Sequence, residues 1–309
     1  MNSNCKKSYP KPIIKWVGGK TQIIDKLVTK FPCEMGNYHE IFLGGGSVLF
    51  ALLSKNKDGS IKCNGHVFAY DLNEPLIFVY KNIQLFPLEL FYAIEKIKNV
   101  YCRITGMTVN RKPISIEEAI LSKESYYYWI RSEYNKLSVD DKKSIIGSSM
   151  LIFLNKTCFR GIFRVGPNGF NVPYGWNKNP DIVDREHLQE ISMLIQNVTF
   201  ESCNFQKSMN NITYGDFTYL DPPYAPETAN SFVAYTVEGF SIDKHKELFS
   251  ICKEIAEKKI NMMMSNSNVS MVLQNFPAET FNVEEILCKR LINSKNPKAT
   301  TQEVLIKNY

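Results

Sequence analysis

Four consecutive residues, Asp221-Pro222-Pro223-Tyr224, follow the apolar stretch 217–220 and place a carboxylate, a stiffened backbone and an aromatic ring together. Two prolines in a row remove two N–H donors and hold the chain extended. The Asp221 carboxylate and the Pro222 carbonyl can then accept both N–H bonds of an exocyclic amine, while the Tyr224 ring stacks on the base that carries it. By itself the tetrapeptide serves equally well as a strand-ending turn.

A second run, Glu40-Ile41-Phe42-Leu43-Gly44-Gly45-Gly46-Ser47, sets glycines between an apolar stretch and a helical one. That arrangement lets a ligand approach the backbone at a helix N-terminus. It is neither G-x-G-x-x-G nor a phosphate-binding loop with Lys-Ser/Thr, which disfavours a dinucleotide or a nucleoside triphosphate. Asp71, at the end of the next apolar stretch, is suited to ribose hydroxyls. A third run, Lys15-Trp16-Val17-Gly18-Gly19-Lys20, offers a ring and a cation around a Gly-Gly turn, or in isolation a solvated arm.

These residues need strand ends and helix starts to carry them. Residues 38–43 and 66–70 read as strands, 47–54 as a helix, and Glu74-Pro75 as the start of another, proline being favoured in a first helical turn. Residues 88–100 and 115–136 have helical periodicity. Residues 155–180 are rich in Gly, Asn and Pro and read as a turn or hairpin carrying Lys156, Arg160, Arg164 and Lys178. Strands return at 198–201, 217–220 and 260–264, with a helix at 243–258 and terminal strands at 279–287 and 303–308. An α/β domain interrupted by a mainly helical insertion accounts for this order.

The chain has 309 residues, enough to bury a full core, and 37 Lys and Arg against 31 Asp and Glu give a mild excess of +6. No apolar run reaches the roughly 18 residues of a spanning helix, and the N-terminus lacks the apolar stretch of a signal peptide. Eight cysteines without a C-x-x-C pair, beside four histidines, argue against a zinc site and read as thiols of a reducing, cytoplasmic compartment.

Taken together, these runs resemble the Dam-type (D12 class, alpha group) DNA adenine-N6 methyltransferases. That family carries, in order, K-W-x-G-G-K, E-P-F-x-G-x-G-S, D-x-N, a recognition segment and D-P-P-Y, which here stand at 15–20, 40–47, 71–73 and 221–224. Residues 153–164 and 170–175 are similar to its F-L-N-R-x-x-x-N-G-L-x-R and F-N-V-P-x-G. Residues 290–293 and 303–309 resemble its closing R-x-I-N and E-V-L-I-x-N-Y.

The resemblance implies a class I, Rossmann-like methyltransferase fold with a mostly parallel sheet. The catalytic parts would be residues 1–86 and 196–309, and residues 87–195 a mainly helical target-recognition domain containing a β-hairpin. It implies transfer of a methyl group from S-adenosylmethionine, without a metal, to adenine N6 in double-stranded DNA, with the target base flipped out of the duplex. Trp16, Lys20, Glu40, Phe42, Gly44, Gly46, Asp71, Asn204, Phe205 and Asp221 would form the cofactor site, Lys20 meeting the cofactor carboxylate. Asp221, Pro222, Pro223 and Tyr224 would carry catalysis. Lys15, Lys156, Arg160, Arg164 and Asn171 would contact DNA, through phosphates or guanine edges. A companion restriction endonuclease and a monomeric or weakly dimeric state complete the expectation.

Among the chain's departures from the family, Ile41 stands where E-P-F has Pro, a change that is tolerable, and two others bear on the site. Arg160 replaces a common Asn, and Cys203-Asn204-Phe205 stands where Asp-Phe is usual, leaving the Asn204 carbonyl to accept from the cofactor amine. Two other readings remain: an amino-methyltransferase acting on RNA or protein, and a DNA-binding relative without catalysis.

Overall fold

A computed structural model of the chain describes residues 9–177, 180–226, 239–289 and 300–309. Lys178 and residues 290–293, named above, lie outside them. Seven strands form the main sheet in the lateral order Asn282–Lys289, Thr300–Lys307, Asn261–Ser267, Phe217–Leu220, Tyr38–Glu40, Val67–Asp71, Val198–Ser202. The last five are mutually parallel, and Thr300–Lys307 runs antiparallel to both its neighbours. This is the expected α/β fold with a mostly parallel sheet.

Strand order reverses between Tyr38–Glu40 and Phe217–Leu220. Their carboxyl ends therefore open onto one crevice, the place where parallel sheets bind ligands. All four residues of Phe217–Leu220 are buried, as a central strand covered on both faces requires. Tyr38–Glu40 is shorter than the sequence pattern predicts, although Ile41 still donates to the Tyr219 carbonyl at 3.1 Å and Leu43 to the Tyr70 carbonyl at 2.8 Å before Gly44, at φ of 50°, turns the chain toward the helix Ser47–Lys57. Asn73 then starts the helix Glu74–Leu85: its side chain accepts the Leu76 N–H at 3.1 Å, with Pro75 in the first turn.

The middle of the chain supplies the helices Pro87–Arg103, Lys123–Lys136 and Ile145–Thr157, and a short hairpin, Val165–Gly166 with Gly169–Phe170. The helix expected over 115–136 is broken, because extended Ser122 caps Lys123–Lys136 by accepting the Ser125 N–H at 3.1 Å. Residues 155–157, expected in a loop, instead close Ile145–Thr157, where Leu154, Asn155 and Thr157 are buried. A further helix, Arg185–Leu194, is capped by Asp184 and leads back to the sheet. Leu76 and Ile83 share one hydrophobic core with Leu90, Ile94, Ile152 and Phe153.

Among the described residues no helix is long and apolar enough to cross a membrane. Cys158 and Cys252 are buried free thiols, while Cys33 and Cys102 are exposed.

Two buried histidines set an acid limit on stability. His245 is 1% exposed beside Phe240 and Phe249, neither ring nitrogen has a hydrogen-bond partner among the described residues, and burial lowers its pKa to about 4. Burial also lowers the pKa of His39, although Asp216 faces its ring at 3.3 Å. Both must stay neutral in the fold but charge freely once unfolded. Their contribution is therefore complete above about pH 6.5 and is lost as pH falls toward the folded values. For His245 the loss reaches about 3 kcal/mol near pH 4. Urea titrations at pH 7.5, 6 and 5 are expected to show this decline, and His245→Phe to flatten it. Equal slopes in both proteins would remove His245 as its source.

Candidate active site

Lys20, Asp221 and Tyr224 meet at the crevice. The Lys20 ammonium is 4% exposed, pairs with Asp221 Oδ1 at 2.8 Å, donates to the Gly18 carbonyl at 2.7 Å and lies 4.9 Å from the centre of the Tyr224 ring. The sequence reading assigned Lys20 to a cofactor carboxylate; here two of its three N–H groups are directed at Gly18 and Asp221. Burial raises the Asp221 pKa to about 6, against the opposing pull of Lys20 and with a further push from Glu303. The Tyr224 hydroxyl donates to Glu303 Oε2 at 2.6 Å. Glu303 belongs to a motif the sequence reading quoted but gave no role.

The glycine turn lies alongside. Asp71 Oδ2 accepts the Gly44 N–H at 3.0 Å, and Asp71 Oδ1 accepts the Asn73 N–H at 2.9 Å. Each oxygen keeps acceptor capacity toward a hydroxyl. Trp16 packs so closely on the turn that a Cβ on Gly44 would lie 2.7 Å from its ring. Only glycine fits there, given also the positive φ. Glu40 is buried, accepts the Tyr38 hydroxyl at 2.8 Å, and burial raises its pKa well above the usual range. Gly46, with φ of 72°, precedes Ser47, whose hydroxyl accepts the Lys20 N–H at 3.3 Å. Ile13 and Ile14 are buried, so the N-terminal run is a packed part of the site and not a solvated arm.

Phe42 and Phe205 lie 6.2 Å apart with Phe240 against both, forming an aromatic group beyond the glycine turn. Asn204 is exposed, and its Oδ1 caps the helix Phe205–Met209 by accepting the Lys207 N–H at 2.9 Å. The oxygen expected to face the cofactor amine accepts this one bond and keeps a second lone pair. Next to Phe205, the Gln206 Oε1 is buried with no hydrogen-bond partner among the described residues.

The basic residues of the middle segment are joined to the N-terminal run by a clamp. Asn155 accepts the Lys15 N–H at 2.7 Å and donates to the Lys15 carbonyl at 2.8 Å, and Trp16 stacks on Phe163 at 5.9 Å. A Cβ on Gly161, at φ of 66°, would overlap the Lys15 side chain, so this docking also requires glycine. Lys15 is exposed, whereas Lys156 is half-buried and burial lowers its pKa. Arg160 is exposed at φ of 57° and lies over Phe159. Arg164 donates through Nε to Asn171 Oδ1 at 2.7 Å and through Nη2 to the Asn171 carbonyl at 3.2 Å, so Asn171 orients Arg164 across the hairpin. Trp176, absent from the sequence reading, stands beside them 66% exposed at φ of 55°, its ring against Tyr174. A tryptophan in a Gly-, Asn- and Pro-rich basic segment was the signal available for it.

Comparison with known proteins places this arrangement. The profile of the family described as D12 class N6 adenine-specific DNA methyltransferase matches residues 16–290. A Type II methyltransferase, M.MjaIII of Methanocaldococcus jannaschii, is 34% identical over 97% of this chain and 99% of its own. A second Type II methyltransferase, M1.LlaDCHI of Lactococcus lactis, is 29% identical over 97% of this chain and 95% of its own. A DNA adenine methylase of Haemophilus influenzae is 27% identical over 93% of this chain and 89% of its own.

Proposed function

The chain belongs to the D12 class N6 adenine-specific DNA methyltransferase family, and from that premise we propose how its residues divide the work of methylating adenine in DNA. The observation that carries the reading is the position of Asp221 and Pro222 at the carboxyl end of Phe217–Leu220, at the reversal of strand order, beside the glycine turn.

S-adenosylmethionine is the methyl donor this site fits. A carboxylate with spare acceptor capacity (Asp71), a buried cation with one N–H left over (Lys20) and the aromatic group of Phe42 and Phe205 match a ligand with ribose, carboxylate and adenine parts. When bound, that donor supplies an already activated methyl group. The residues of the chain act on the other reactant. Adenine N6 is a poor nucleophile because its lone pair is delocalised into the ring. N–H bonds accepted by the Asp221 carboxylate and the Pro222 carbonyl localise that pair and stabilise the positive charge developing on nitrogen. Proton loss follows transfer, so Asp221 acts as an acceptor and need not be a general base. The base must leave the duplex to reach this depth, and Tyr224 supplies the ring against which it stacks.

Residues 87–195 act as the recognition segment between the two catalytic parts. Arg164, pre-oriented by Asn171, and Arg160 present guanidinium groups on an exposed face, with Lys15, half-buried Lys156 and Trp176 nearby. Two relatives bear Type II names, which supports a companion endonuclease sharing the target site.

The test is labelled methyl transfer from S-adenosylmethionine to unmethylated genomic DNA, followed by nucleoside analysis and mapping of modified positions. N6-methyladenine confined to one short motif is expected. Label appearing only in RNA or protein would overturn the reading. Arg160→Ala is expected to relax the motif at one position, costing about 1–3 kcal/mol of discrimination. A uniform loss on all sequences, with a smaller salt slope, would instead assign Arg160 to a phosphate.

A further inference from the structure

We propose that Glu303 is a positioning residue for methyl transfer, holding the Tyr224 ring by its hydroxyl in the orientation the target base needs. The proposal rests on the reading of Tyr224 as the stacking ring.

The 2.6 Å bond from the Tyr224 hydroxyl to Glu303 Oε2 has the length of a hydrogen bond to a carboxylate. Burial, with Asp221 and Glu303 close by, keeps the hydroxyl far from ionising, so it remains a donor. Glu303 lies on Thr300–Lys307, opposite Ser267 of the neighbouring strand. From that neighbour two more side chains hold the next residue. The Ala225 N–H donates to Asn266 Oδ1 at 3.0 Å, and the Ser267 hydroxyl donates to the Ala225 carbonyl at 2.6 Å. Asn266 is fully buried. The chain leaving the Asp221–Tyr224 turn is thus pinned from strands that contain none of the turn's own residues.

The arrangement has an electrostatic cost. Glu303 faces Asp221 closely enough to raise its pKa, which disfavours the ionised form of the residue that must accept the amine. A phenylalanine would supply a flat ring without any carboxylate nearby. What the hydroxyl–carboxylate bond adds is a fixed ring direction. Lys20, 4.9 Å from the ring centre and paired with Asp221, links that direction to the acceptor itself. A ring held at the hydroxyl end and covered by a cation stays aligned when a base arrives, which is the alignment transfer depends on.

A double-mutant cycle tests this. Single-turnover transfer and the fluorescence of 2-aminopurine placed at the target adenine are measured for Tyr224→Phe, Tyr224→Ala, Glu303→Ala, Glu303→Gln and the Tyr224→Phe/Glu303→Ala double variant. Thermal midpoints are recorded for each. Glu303→Ala and Tyr224→Phe are each expected to slow transfer about tenfold and to reduce the 2-aminopurine signal. Glu303→Gln, which still accepts from the hydroxyl, is expected to recover to within about threefold of the parent. In the Tyr224→Phe background Glu303→Ala is expected to change the rate less than about twofold. Multiplicative losses in the double variant, or parental rates in Glu303→Ala, would overturn the proposal. Parental transfer by Tyr224→Ala would overturn the stacking role of Tyr224 as well; impaired transfer there with a multiplicative cycle would overturn the Glu303 proposal alone.

Discussion

Asp221→Ala is expected to lower transfer by about a thousandfold or more while leaving duplex binding within a few-fold of the parent. The carboxylate accepts a bond that strengthens as charge builds on N6, so its loss falls on the transition state, and a thousandfold corresponds to about 4 kcal/mol. Arg160 and Arg164, the arginines proposed to meet DNA, take no part in the Lys20–Asp221–Tyr224 contacts, which is why affinity is expected to survive. The substitution also leaves the buried Lys20 ammonium without its partner, and breaking a buried pair destabilises. Asp221→Asn separates the two effects: it keeps the shape and one carbonyl acceptor but not the charge. It is expected to fold like the parent and to retain about a tenth to a hundredth of the rate. Single-turnover assays with a thermal midpoint for each variant decide the matter. Near-parental rates in a folded Asp221→Ala would remove Asp221 from the chemistry.

Lys20→Met is expected to shift the pH profile and not merely scale it. Asp221 is raised to about 6 by burial, and Lys20 is the cation that limits the rise, against a further push from Glu303. The ionised form is the better acceptor. Transfer by the parent should therefore fall about tenfold per pH unit below roughly pH 6. Without Lys20 the carboxyl takes up its proton at higher pH. At pH 7.5 the variant should be slow by about ten- to a hundredfold, regaining rate as pH rises toward 9, with its acid limb at least about one unit higher. Single-turnover rates from pH 5 to 9 at saturating cofactor check this. Superimposable acid limbs would show that the ion pair does not control Asp221. A change in cofactor affinity alone would confine Lys20 to binding.

The functional groups were legible in the sequence because the groups that act together locally are also contiguous in it. Asp221 to Tyr224 form one turn, Gly44 to Ser47 another, and Asn73 with Pro75 marks a helix start by chemistry that operates within a few residues. The alternation of strands and helices around them was readable for the same reason. Element edges were less so: Ser122 breaks a periodic helix by capping its own second half, and Asn155 belongs to a helix because Leu154 and Thr157 are buried against neighbours from elsewhere in the chain.

Sequence by itself thus determined the family of fold, the reaction class and most of the candidate residues, through local backbone preferences and short motifs. Only the tertiary structure decided who pairs with whom. Lys20 meets Asp221, Asn155 clamps Lys15 across 140 positions, and Glu303 takes the Tyr224 hydroxyl across 79. Asn204 turns out to cap a helix, and Trp176 stands in the open. The physical reason is common to all of them. Lateral neighbours are set by strand order and by which helix faces share a core, and a residue's own few neighbours along the chain do not encode either.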